Sequence, residues 1–312
     1  MDILLIVLAL VILYFGAEMA LEASEKIGEG LGLSPLVVGL FLVGLGTSLP
    51  EFFVSQVAST QKAYPIAIGN ILGSNISNMF LILGLVGLLT KINLSVKNIK
   101  PQILFHFTLY LVLAGVLYGI KKISLLSSFI FGIFFCGHLI YSYLHMKAQK
   151  TDQDAHTKMG RKQFTILIIK ICLGFYSLYF GGDVLVTSSI RVCLSFGLSQ
   201  YVVSVIFVAF GTSLPELVTS LLAIYKKKNS QMIAGNIIGS NIFNVAFIMG
   251  TMGIYDISIV ETYAYEMIAL FGGSLVLIFH SFSKVKFRMV SGIFFILIYI
   301  FLVFHWSREI TA

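Results

Sequence analysis

Gly46-Thr47-Ser48-Leu49-Pro50-Glu51 lies inside an apolar stretch, and about 165 residues later the chain repeats it as Gly211-Thr212-Ser213-Leu214-Pro215-Glu216. Each copy leads into a second shared stretch. In the first half this is Gly69-Asn70-Ile71-Leu72-Gly73-Ser74-Asn75-Ile76-Ser77-Asn78, and in the second Gly235-Asn236-Ile237-Ile238-Gly239-Ser240-Asn241-Ile242-Phe243-Asn244. A carboxylate at the centre of a bilayer costs from a few to about 10 kcal/mol, so it is rare and marks a partner or a function. Two such glutamates, each beside the same helix-breaking proline and the same hydroxyls, point to a cation site made by internal duplication.

The surroundings of these motifs are those of a membrane protein. Of the 312 residues, 58% are apolar and 11% charged, against roughly 25% charged in a soluble domain. Apolar stretches of about 20 residues are long enough to cross the hydrocarbon core as helices. Ten are expected, at roughly 3–24, 35–59, 66–89, 102–120, 124–145, 163–189, 200–224, 231–254, 262–280 and 289–306. Their continuous apolarity, without alternation, favours helices over barrel strands. The apolar N-terminus lacks a basic leader and a small-residue cleavage site, so it is expected to be a retained span.

The net charge of +7 follows from loop topology rather than from an anionic macromolecular partner. With the N-terminus outside and loops alternating, the inner loops hold Lys26, Lys91, Lys97, Lys100, Lys147, Lys150, Lys158, Arg161, Lys162, Lys226, Lys227, Lys228, Lys284, Lys286 and Arg288, which is 15 of the 21 basic residues. This positive-inside bias places both termini outside the cell and requires no nucleic acid.

The repeat extends beyond the motifs. Gly16-Ala17-Glu18 corresponds to Gly181-Gly182-Asp183, and Gly32-Leu33-Ser34 to Gly197-Leu198-Ser199. The chain therefore divides into a first five-helix unit (1–145), a cytoplasmic linker (146–162) and a second five-helix unit (163–312). Because each unit has an odd number of crossings, the two must be inverted relative to each other. The expected fold is an all-α membrane protein of ten transmembrane helices in two inverted repeats. Such folds carry their sites near the midplane, between the halves.

Within each motif the spacing gathers oxygen. Thr47 and Ser48 lie four and three residues before Glu51, on one helical face, with Ser55 a turn beyond. Pro50 lacks an N–H, which deprives the Gly46 carbonyl of its helical partner. Thr212, Ser213, Pro215 and Glu216 repeat the arrangement. Asn70, Ser74 and Asn78 form an i+4 stripe, as do Asn236, Ser240 and Asn244. Gly69 with Gly73, and Gly235 with Gly239, make small-xxx-small pairs suited to close helix approach. Carboxylates, amides, hydroxyls and bare carbonyls form the all-oxygen donor set that Na+ and Ca2+ prefer. Two glutamates would balance one Ca2+ or two Na+, so competition for them would couple two opposed fluxes.

These paired motifs closely resemble the alpha repeats of the sodium/calcium exchanger branch of the cation/Ca2+ exchanger superfamily. The resemblance covers both repeats and the ten-span plan. It implies a secondary antiporter exchanging Na+ for Ca2+ by alternating access, in the direction of Ca2+ extrusion. It implies Glu51 and Glu216 as central cation ligands, with Thr47 and Thr212 offering backbone carbonyls. Ser48, Ser74, Ser213, Ser240, Asn78 and Asn244 resemble the flanking ligands, chiefly for Na+. Where Asn244 stands, potassium-coupled members carry an aspartate, so potassium co-transport is not expected. The GN-x-x-E motif of proton-coupled members is absent, although H+/Ca2+ exchange at the same glutamates is the alternative. The expected carrier is a non-enzymatic monomer of the plasma membrane, with no resident cofactor and with Ca2+ and Na+ as its cargo.

Other residues carry plainer expectations. Asn75 and Asn241 lie off the stripe and are read as structural hydrogen-bonding groups. Glu18 and Asp183 are either an ion-access vestibule or helix-end contacts. The six histidines follow no repeat and are read mostly as interfacial or linker residues. The three cysteines are read as buried, inert thiols. An intramembrane aspartyl protease would need a GxGD motif, which is absent, and a channel would repeat its filter in parallel rather than inverted.

Overall fold

The computed structural model describes residues 2–62, 64–96, 98–148, 160–195, 211–260, 262–283 and 285–309. It is helical almost throughout. Helix α1 (Asp2–Leu31) ends where Gly32 turns left-handed (φ 67°), and the Leu33 N–H closes back on the Gly28 carbonyl at 2.7 Å. A glycine at this position adopts that turn without Cβ strain. Ser34 and Pro35 then start α2 (Pro35–Val37), which continues through a π-helical segment, Val38–Val43, into α3 (Gly44–Thr47). Ser48 breaks the helix, and α4 (Leu49–Thr60) leaves at 40° to the preceding segment.

Helix α5 (Tyr64–Ile76) runs through a π segment, Ser77–Ile82, into α6 (Leu83–Leu89). The first half closes with α7 (Ile99–Ala114), prolonged by a π segment to Ile120, and α8 (Leu125–Ala148). The second half contains α9 (Arg161–Ser195), α10 (Leu214–Tyr225), α11 (Ser230–Ile242) with its π segment Phe243–Met249, α12 (Ala264–Phe282) and α13 (Met289–Glu309).

Among the described residues, eight helices are long and apolar enough to cross a membrane, and the bent pair Pro35–Thr47 and Leu49–Thr60 would make a ninth. The seventh expected span begins in residues 196–210, outside the described set; its described part is α10. Gly197-Leu198-Ser199 and most of the linker also fall outside that set.

Burial separates centre from periphery. In spans Tyr64–Leu89 and Ser230–Tyr255, 83% of the apolar window is buried, against 17% to 39% for the other six. The outer helices show large apolar side chains on their free faces, among them Leu4, Leu8, Phe129, Ile140, Tyr176, Ile268 and Phe301, as lipid contact requires.

The close approach expected of the glycines is present in the second half. Helix α11 lies against the α2–α3 segment of the first half. A Cβ on Gly239 would lie 2.8 Å from the Leu40 Cα, and one on Gly235 would meet the Leu36 carbonyl. No described atom lies within 4 Å of the equivalent position on Gly69. Helices α1 and α9 pack along each other, and a Cβ on Gly174 would stand 2.7 Å from the Ala20 nitrogen.

Short backbone bridges also join the halves. Lys122–Ile123 pairs antiparallel with Ile257–Ser258, and Ile92 pairs with Phe287.

Two expectations are corrected, and one left open is decided. Cys136 and Cys172 are exposed on the outer surface, because a thiol is at ease against lipid and needs no core; the Cys193 side chain is not described. His106, His138 and His280 are buried rather than interfacial. His280 is held by the Val285 carbonyl and Ser291, and His106 lies near Asn241 and Ser274. Of the two readings of Glu18, the structure shows the helix-end contact: its carboxylate pairs with Lys226.

Candidate cation site

The site is built from the broken α3–α4 helix, the start of α10 and the two stripes facing them. Ser48, at the break between α3 and α4, and Ser213, just before α10, have nearly identical backbones, φ −87° and ψ 7° against φ −88° and ψ 5°. In each copy Leu and Pro follow, so the proline sits in the first helical turn, where a missing N–H costs nothing. The break is crossed by the Ser48 N–H to the Gly44 carbonyl at 3.3 Å and the Phe52 N–H to the Ser48 carbonyl at 3.2 Å. Glu51 and Glu216 follow in the first turn of α4 and α10. Both are fully buried, and neither pairs with a basic residue among those described.

Hydrogen bonds then tie each half to the other. Thr47 donates within reach of Asn236 Oδ1 (3.3 Å), and Thr212 donates to Asn70 Oδ1 (3.2 Å). Ser240 Oγ lies 3.4 Å from the Thr47 hydroxyl, and Ser74 Oγ lies 3.1 Å from that of Thr212. The two stripe asparagines are anchored in their own halves. Asn70 Nδ2 donates to Ser55 Oγ and the Glu51 carbonyl, while Asn236 Nδ2 reaches Thr219 and Ser220.

Asn75 and Asn241 sit at the crossing. Each side chain donates to the other's backbone carbonyl, at 3.4 and 3.3 Å. Asn75 Oδ1 accepts from Asn244 Nδ2 and Asn241 Oδ1 from Asn78 Nδ2, both at 3.1 Å. The spacing could not show that these off-stripe amides hold the stripe residues, although their recurrence in both repeats was visible. His106 and Tyr110, each 3.4 Å from the Asn241 amide nitrogen, have no repeat partner that could have flagged them.

With these bonds made, six buried oxygens in the cluster remain unpartnered: both carboxylate oxygens of Glu51, Oε2 of Glu216, Oγ of Ser213, and Oδ1 of Asn78 and Asn244. Five of the six are pure acceptors. Leaving one such group bare costs about 1–3 kcal/mol, and more for a charge. The remaining glutamate oxygen, Oε1 of Glu216, accepts from Ser48 at 3.0 Å. Among the described residues no group of three His, Cys, Asp or Glu side chains converges. The donor set is therefore two carboxylates surrounded by neutral oxygen, which suits a hard cation.

Residues 1–144 and 166–307 match the model of the family described as sodium/calcium exchanger protein. The chain belongs to the sodium/calcium exchanger family. It is 32% identical over 238 residues to an uncharacterised membrane protein of Methanocaldococcus jannaschii, covering 76% of each chain. It is 29% identical over 300 residues to the sodium/calcium exchanger MaX1 of Methanosarcina acetivorans, covering 83% of this chain and 85% of that protein. A solved structure of the sodium-calcium exchanger NCX_Mj, soaked with Na+ and without Ca2+, superposes with a TM-score of 0.82 at 29% identity, covering 97% of both chains. As an exchanger-family member, the chain is a multi-pass membrane protein of cation antiport.

Proposed function

We propose that this exchanger carries Na+ and Ca2+ in opposite directions through one site, using Na+ entry to expel Ca2+ from the cell. Glu51 and Glu216 are the central ligands, Thr47 and Thr212 contribute backbone carbonyls, and Ser48, Ser74, Ser213, Ser240, Asn78 and Asn244 complete the shell. The observation that carries this reading is the set of unpartnered acceptor oxygens around two buried carboxylates. A cation satisfies all of them at once, and a single Ca2+ or a pair of Na+ cancels their charge. The carrier works as a monomer of ten spans in two inverted halves, with both termini outside the plasma membrane.

The test is uptake of radiolabelled Ca2+ into proteoliposomes, with and without an outward Na+ gradient, for the wild type and Glu51→Gln. Uptake should require internal Na+ and fall to background in the variant. A second reading draws on both Glu51 oxygens being bare: the carboxyl would exchange a proton instead of Na+. Uptake that follows a pH gradient and ignores Na+ would establish that reading and discard the first.

A further inference from the structure

The two backbone bridges between the halves stand at opposite ends of the span Ile99–Ile120, hence on opposite membrane faces, and they carry different charges. At the C-terminal end of that span, Lys122 pairs with Asp256 at 2.8 Å beside the strand Ile257–Ser258. At its N-terminal end, the Ile92–Phe287 bridge (2.9 and 3.0 Å) is flanked by Lys91, Lys286 and Arg288. Ile92 and Phe287 are fully buried, so their neighbours along the extended backbone face outward. Antiparallel register sets Lys91 across from Arg288. Like charges placed opposite each other destabilise a strand pair. Lys100 joins this face, its ammonium 5.0 Å from the Phe282 ring centroid. None of these four bases pairs with a described carboxylate, and no Asp or Glu occurs in 84–105 or 280–295.

Exposed apolar side chains neighbour the bases in sequence: Leu89, Phe282, Val285, Met289 and Val290. The platform is firm. Helices α6 and α13 meet through glycines, where a Cβ on Gly292 would lie 2.6 Å from the Gly84 carbonyl. His280 ties the turn down through the Val285 carbonyl and Ser291, both at 2.9 Å.

We propose that Lys91, Lys100, Lys286 and Arg288 form a binding site for an anionic phospholipid, with its phosphate among the bases and its acyl chains along α6 and α13. A phosphate group relieves the Lys91–Arg288 repulsion, and the neighbouring apolar side chains accept the acyl chains that a soluble anion lacks. The site lies at the seam of the two halves and is independent of which ion drives transport.

The test is binding of phosphatidylglycerol, against phosphatidylcholine, to the detergent-solubilised full chain, read as bound-lipid peaks in native mass spectrometry. The wild type should retain phosphatidylglycerol selectively. Each base near an anionic headgroup contributes about fivefold in affinity, so K91Q/K286Q/R288Q should weaken it by roughly a hundredfold. The charge-preserving K91R/K286R/R288K should retain it, which separates lost charge from a misfolded face. K121Q/K122Q, at the opposite end of the span, should bind as the wild type does. Equal retention of the two lipids, undiminished binding in the triple glutamine variant, or displacement by inorganic phosphate alone would each overturn the proposal.

Discussion

Asn78 and Asn244 present a bare oxygen because their amide nitrogens are already taken, by Asn241 and Asn75. An amide can rotate by half a turn with little change in shape, so one hydrogen bond decides whether it offers an oxygen or a nitrogen. Asn241→Leu removes the acceptor that fixes Asn78. A net hydrogen bond is worth about 1 kcal/mol, so the Ca2+ KM in tracer uptake should rise by roughly fivefold to tenfold, with maximal rate largely kept. An unchanged KM would mean that Asn78 is oriented by something else. The ten nominated residues could be picked out because both repeats spell them alike. Their wiring could not, since Asn241, His106 and Tyr110 act across 131 to 135 positions of sequence, and no local spacing encodes such a contact.

At the scale of elements, Ser48 and Ser213 have nearly the same backbone angles, and α4 and α10 both end at a left-handed lysine, Lys62 and Lys227. Local sequence therefore governs these pieces, and the break before α4 was readable from Pro50. The π segments at Val38–Val43, Ser77–Ile82 and Phe243–Met249 were not readable, because one extra residue in a helical turn leaves the apolar pattern intact. Glycines show the same division. Gly239 and Gly69 belong to the same repeated motif, yet only Gly239 has described backbone within 4 Å. Gly239→Ala should destabilise the protein by about 1–3 kcal/mol through overpacking against Leu40. Among the described neighbours nothing opposes Gly69→Ala. Melting of the two solubilised variants should therefore differ, with the Gly239 variant unfolding several degrees earlier.

At the scale of the molecule, α1 is fastened to the turn after α10 by two ion pairs, Glu18–Lys226 and Glu25–Lys228. All four side chains are between a quarter and a third exposed, so each pair contributes at most about 1 kcal/mol and weakens with salt. Glu18→Gln with Glu25→Gln should leave the Ca2+ KM close to the wild-type value and change the turnover rate by no more than roughly thirtyfold, the limit set by two pairs of about 1 kcal/mol. A large KM change in the uptake assay would place these pairs in the ion pathway instead. The membrane class and the helical fold could be read from composition and the length of the apolar stretches. Which helices form the centre could not, because spans of similar apolarity differ only in what surrounds them.

One asymmetry breaks the repeat. The Ser48 hydroxyl donates a hydrogen bond to Glu216, while its counterpart Ser213 makes none to the corresponding Glu51. On the proposed antiport reading, the two end states are expected to differ in which repeat makes this bond, Ser48 to Glu216 in one and Ser213 to Glu51 in the other.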